Sequence, residues 1–84
     1  MPYINQTRRD RLAAGGEPAT AGELNFAVTQ LCGRYLATRP LNYAAINEVV
    51  GVLACAQAEL YRRVAVPYEE RTRHKNGDVY TTTA

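Results

Sequence analysis

The stretch ELYRRVAVPYEERTRHKNG, residues 59–77, decides how the chain ends and what the rest of it must cover. It follows a run that reads as helix and places Pro67 in the middle. Proline lacks an N–H and clashes with the carbonyl four residues back, but it is at home in the first turn of a helix, where that donor would be unpaired anyway. It also pushes the residue before it, here Val66, toward extended geometry. Glu69 and Glu70 then fall at the positive end of a new helix dipole, and Arg73, His74 and Lys75 at its negative end. Asn76-Gly77 is a stop signal. The stretch therefore predicts a break at Pro67 and a separate short helix over 67–76, aimed in a new direction and followed by an extended tail over 77–84.

Upstream, YAAINEVVGVLACAQAELYRRVA predicts a long helix over 42–66, capped by Asn42 after the break at Pro40. Ile46, Val49, Val50, Leu53, Gln57, Leu60, Tyr61 and Val64 form one stripe at helical spacing. Ala44, Gly51, Ala54, Cys55 and Ala58 form a second, thin side on which another helix approaches closely. Before it, Thr20 with Glu23 three residues on is a capping box, in which each side chain satisfies the other's orphan N–H. A helix over 21–38 follows, with Leu24, Ala27, Val28, Leu31, Cys32 and Tyr35 on one face. Residues 13–20 read as a flexible Ala/Gly loop, and 1–12 as an N-terminal arm with a short helix.

The expected fold is thus all-α: a helical hairpin with a long second helix and a short C-terminal helix. One partner helix covers only one of the long helix's two apolar faces. The expectation that follows is a homo-oligomeric bundle, most simply two hairpins making four helices. The alternative is that the N-terminal turns and the segment after Pro67 fold back over the second face. Cys32 and Cys55, on antiparallel helices, are offset by roughly 10 Å along the axis, so they are expected as buried reduced thiols and not as a disulfide. PYI near the start and DVYTTT near the end have extended character and either pair as arms or stay loose.

Composition narrows the function. The chain has 84 residues, 46% of them hydrophobic and 21% charged, which is globular rather than disordered. A domain this small buries only about 60% of the surface its unfolded chain exposes. No apolar run is long enough to span a bilayer, and MPYINQTRRDR lacks the apolar stretch of a secretory signal, so a cytoplasmic protein with no membrane partner is expected. The chain holds one His, no Ser, no phosphate-binding Gly loop and no metal-ligand spacing. Glu48 and Glu59 lie three helical turns apart, roughly 16 Å, too far for an acid/base pair. No enzyme, cofactor or metal is expected.

Charge carries more than its formal sum of +2. Arg8, Arg9 and Arg11 crowd the start, and Arg62, Arg63, Arg71, Arg73 and Lys75 crowd the end, with a net acidic stretch between. Around Pro67 the sequence gathers Arg62, Arg63 and Arg71 with Tyr61 and Tyr68. Guanidinium forks beside aromatic planes suit a phosphate-bearing ligand with a stackable base. The plain reading is that Glu59–Arg63, Glu69–Arg73 and Glu70–His74 are i,i+4 pairs on a solvated helix. Arg62, Arg63 and Tyr68 are the first candidates for ligand contact, one of the two arginines being left free by Glu59 to face the bend. Arg8 and Arg9 follow, with Tyr61 and Arg71 beside them.

MPYI at Met1–Ile4, GELNFAVT at Gly22–Thr29, YAAINEVVGVL at Tyr43–Leu53, ELYRRVAVPYEE at Glu59–Glu70 and NGDVY at Asn76–Tyr80 together resemble a family of short bacteriophage and prophage proteins with no assigned activity. The resemblance covers most of the chain and departs from the family's pattern mainly over residues 13–21. What it implies is a setting: a small phage accessory protein in the host cytoplasm. Joined to the arginine and tyrosine clusters, it implies counter-defence by sequestering an anionic nucleotide, cyclic or linear, at subunit interfaces. The second expectation is a protein-binding inhibitor of a host defence enzyme or nuclease complex. The weakest is nucleic-acid binding, because a charge of +2 is far from the strongly basic balance of such proteins.

Overall fold

The computed structural model describes residues 1–80, and 81–84 of the expected tail lie outside them. Helix α1 spans Gln6–Ala13, α2 Ala21–Ala37, α3 Tyr43–Leu60 and α4 Val66–Asn76. Between α3 and α4 the backbone makes one π-helical segment, Tyr61–Ala65, without leaving the helical region. Because α3, the π segment and α4 run on without a break, the described residues hold three helices, the last one long, and no strand. The chain divides into two units, Met1–Asn47 and the residues from Glu48 onward.

Pro67 does not break the chain. Val66, expected to be extended, is helical at φ −61° and ψ −50°, and so is Ala65 before it. The reason lies in the π turn: the Val66 N–H donates to the carbonyl of Tyr61, five residues back. Widening the turn by one residue relieves the clash between a proline ring and the carbonyl four residues behind it. There is therefore no bend for Arg62 or Arg63 to face. Tyr61 Oη donates to Glu69 Oε1 at 3.3 Å, a contact eight residues apart that an extra residue in the helix brings onto one side. The helix stops where the sequence says, at Gly77, whose φ of +90° suits glycine and whose N–H donates to the Arg73 carbonyl at 2.8 Å.

The first unit is stitched together by short-range polar contacts. Asn5 caps α1 by accepting from the Arg8 N–H at 3.0 Å. The helix ends in a glycine turn: Gly15 adopts φ +100°, and the Gly16 N–H returns to the Arg11 carbonyl at 2.9 Å. Thr20 caps α2 by accepting from the Glu23 N–H at 3.1 Å, but the reciprocal half of the capping box is absent. The Glu23 carboxylate accepts instead from the Ala19 N–H at 3.1 Å and holds two arginines of α1. Arg11 also donates to the Glu17 carbonyl at 2.9 Å, so the loop over 13–20 is tied down rather than free. Leu12 and Ala45 are buried, α1 packs on α2, and Asn42 caps α3 through the Ala45 N–H at 2.9 Å.

The apolar stripes expected on the two helices stand largely exposed. Leu24, Val28, Leu31 and Tyr35 on α2 are exposed, and so are Val50, Leu53, Leu60 and Val64. Both cysteines are free thiols, as expected, but Cys32 is half-buried and Cys55 exposed rather than buried. PYI does not form a strand: the Ile4 N–H donates to the Pro2 carbonyl at 3.0 Å, a tight turn that lays the arm against the start of α2.

Candidate functional site

Three arginines stand in one helical turn of α1, and the fold gives them different work. Arg11 is paired with Glu23 Oε1, and Arg8 lies 3.6 Å from Glu23 Oε2. Glu23 is buried among polar partners, and its carboxyl is held below its ordinary value of 4.5. The Ala19 N–H is the main cause, with the charges and donors of Arg11 and then the charge of Arg8 adding to it against desolvation, which acts the other way. One carboxylate thus occupies two of the three guanidinium groups.

Arg9 is the third, and it has no carboxylate partner among the described residues. Its Nε donates to the Ile4 carbonyl at 2.8 Å, which fixes the plane of the guanidinium and leaves its terminal nitrogens unspent. The group lies over the Phe26 ring, 5.9 Å from its centroid. Around it opens a cleft of about 250 Å³ lined by Pro2, Tyr3, Arg9, Phe26, Thr29 and Gln30. Phe26, Thr29 and Gln30 share one face of α2 at the i, i+3, i+4 spacing. Pro2 and Tyr3 come from the N-terminal arm, which lies so close to α2 that a Cβ on Gly22 would sit 3.3 Å from the Met1 carbonyl and 3.4 Å from Ile4. Gly22 is what lets the arm form a wall.

Chemically the cleft offers a fixed cation, two aromatic faces in Phe26 and the exposed Tyr3, an amide and a hydroxyl. The Thr29 hydroxyl donates to Asn25 Oδ1 at 3.3 Å, which leaves its lone pairs to accept from a ligand. Among the described residues there is no cluster of His, Cys, Asp or Glu that would hold a metal.

The first-choice candidates from the sequence are placed differently. Arg62 and Arg63 are both held by Glu59, Arg62 as a close ion pair and Arg63 at 3.8 Å, so neither is left over as expected. Tyr61 is tied to Glu69, and Arg71 lies over the Tyr68 ring at 5.8 Å. Glu70 takes Arg73 three residues on, and Arg73 also reaches Asp78 at 3.5 Å. These groups are strung along one helix, where Glu59 holds Arg62 and Arg63, Glu69 holds Tyr61, and Arg71 lies against the Tyr68 ring without a carboxylate among the described residues; no bend gathers them. An open groove of about 400 Å³ beside Ala54, Ala58, Tyr61 and Arg62 belongs to that single helix and has no opposite wall within it. Of the seven candidates, Arg9 alone stands in a cleft whose walls come from two separate segments, the N-terminal arm and α2. Tyr3, Phe26, Thr29 and Gln30 escaped the sequence reading, and the only signal for them is the spacing of the last three on α2.

A small, all-helical protein with an arginine-anchored cleft in its N-terminal unit is the class that these features define. The chain belongs to the family described as a domain of unknown function, DUF6899, which it matches over residues 1–79. No curated protein and no solved structure matches it.

Proposed function

We propose that the protein is a non-enzymatic binding protein that takes up an anionic nucleotide in the Arg9 cleft, in the setting of phage counter-defence that the sequence resemblance implies. The observation that carries this reading is Arg9 itself, half-buried, without a carboxylate among the described residues and backed by an aromatic ring. A phosphate oxygen pairs with its terminal nitrogens, while a base stacks on Tyr3 or Phe26 and finds Gln30 and Thr29 at its edge. The cleft sits just below the usual size range of small-molecule sites, which favours a compact ligand. Nothing in it attacks or protonates a bond, so the action is sequestration.

Calorimetric titration against a panel of cyclic and linear nucleotides tests the reading. Micromolar or tighter binding by at least one is expected. Arg9→Ala should weaken it roughly 10- to 100-fold, the loss of a charge-assisted hydrogen bond of about 1.5–3 kcal/mol, with helicity by circular dichroism unchanged. If no nucleotide binds, or if Arg9→Ala binds as well as the parent, the cleft is not the site.

A further inference from the structure

Arg9 meets the cleft with a guanidinium that is already partly committed. Its Nε–H donates to the Ile4 carbonyl at 2.8 Å, so the edge that carries Nε faces the backbone and only the two terminal nitrogens are left for a ligand. Two donors side by side fit two acceptors side by side. No other cation lines the cleft, whose walls are otherwise Pro2, Tyr3, Phe26, Thr29 and Gln30. Arg8 and Arg11, on the same helix, are not held in reserve. Both hold Glu23, whose side chain is only 5% exposed, and drawing either away leaves a buried carboxylate short of counter-charge.

We propose that the ligand is anchored through a singly charged phosphodiester, the group that closes a cyclic nucleotide, and that the cleft discriminates against the terminal phosphate of an open one. The inference rests on the nucleotide reading of the cleft. A phosphodiester carries two non-bridging oxygens and one negative charge, which the fork and the charge of a single guanidinium satisfy together. A terminal phosphate at neutral pH adds a third oxygen and most of a second charge. The Gln30 amide can donate to the extra oxygen, but nothing that lines the cleft neutralises the extra charge. Desolvation costs rise as the square of the ligand's charge, whereas attraction to one guanidinium rises only in proportion. In a half-enclosed site with one cation, the second charge is therefore a net loss.

Calorimetry on the cyclic and open monophosphates of adenosine and guanosine tests this, at about pH 7.5 and about pH 5.5, either side of the second phosphate pKa of about 6. At the higher pH each cyclic form is expected to bind roughly tenfold tighter than its open partner. At the lower pH the open form carries mostly one charge, and the gap should close to within roughly twofold. The cyclic forms do not titrate in this range, so they control for any change in the protein. Arg9→Lys keeps the charge and loses the fork, so it should bind the cyclic forms roughly tenfold more weakly, with helicity by circular dichroism unchanged. An open monophosphate that binds at the higher pH as tightly as its cyclic partner overturns the inference, and so does a gap that fails to narrow on acidification or an Arg9→Lys chain that binds like the parent. Each of those results leaves the cleft standing as a nucleotide site. Binding by none of the four overturns the cleft reading and this inference with it.

Discussion

The two units of this chain are made of the same material and hold themselves in opposite ways. In Met1–Asn47, two short helices are joined across a tied loop: one carboxylate, Glu23, gathers Arg8, Arg11 and the Ala19 N–H, and Leu12 is buried. From Glu48 onward a helix without a buried side chain relies on its own hydrogen bonds and on neighbours three and four residues away. Contacts between residues distant in sequence make a site possible, because they bring the arm over Phe26. Contacts confined to one helix make only a surface. The difference teaches that the number of arginines in a region says little about where a ligand sits; what counts is how many of them the fold has already used.

The largest expected effect separates the regions outright. Leu12→Ala removes a buried side chain at a cost of about 2–5 kcal/mol, enough to open a unit this small. Hydrogen exchange should show lost protection over residues 6–37 with residues 48–76 little changed. Joint loss in both stretches would mean that the units fold as one, and the contrast drawn here would collapse.

Next comes acid. Because the Glu23 carboxyl is held below 4.5 in the folded unit, its contribution is fully present above that value and is lost as pH falls through the depressed folded value. Glu23→Gln keeps an acceptor for the Ala19 N–H but loses the charge that Arg8 and Arg11 require. The variant should melt lower at neutral pH, and its gap to the parent should close steadily as the pH is taken below 4.5. A gap that stays constant down to acid pH would show that the carboxylate charge is not what ties α1 to α2. The smallest effect belongs to the second region, where Glu59→Ala removes the partner of Arg62 and Arg63. These are exposed helix pairs worth about 0.2–0.5 kcal/mol each, so thermal melting should barely shift. A change beyond about 1 kcal/mol would sharpen the comparison in the other direction, showing that Glu59 has work outside its own helix.

Much of the fold was legible because helix ends are written locally. Thr20, Asn42 and Gly77 stand where chain stops and starts occur, since each acts on N–H or carbonyl groups within a turn of itself. Pro67 was misread for the complementary reason. Its local rules are sound, but a π turn has no residue signature, and one extra residue in Tyr61–Ala65 cancels the clash on which the predicted break depended. The candidate site was legible only in part. Arg8, Arg9 and Arg11 are nearly equivalent in sequence, and their difference comes from Glu23, more than ten positions away from each. The arm's role rests on Gly22 having no side chain, which only the close approach of Met1 and Ile4 reveals.

The π turn has one more consequence, which concerns phase. A helix surface is read in a frame set at one end, and an extra residue in a turn shifts that frame by about 100° for everything that follows. Side chains beyond Ala65 therefore stand out of step with those before Tyr61, as print on a paper strip does after a quarter twist. Any straight object lying along the earlier stretch loses its footing on the later one. The twist works as an end stop, giving a helix whose surface chemistry is otherwise monotonous a defined length over which it can be matched.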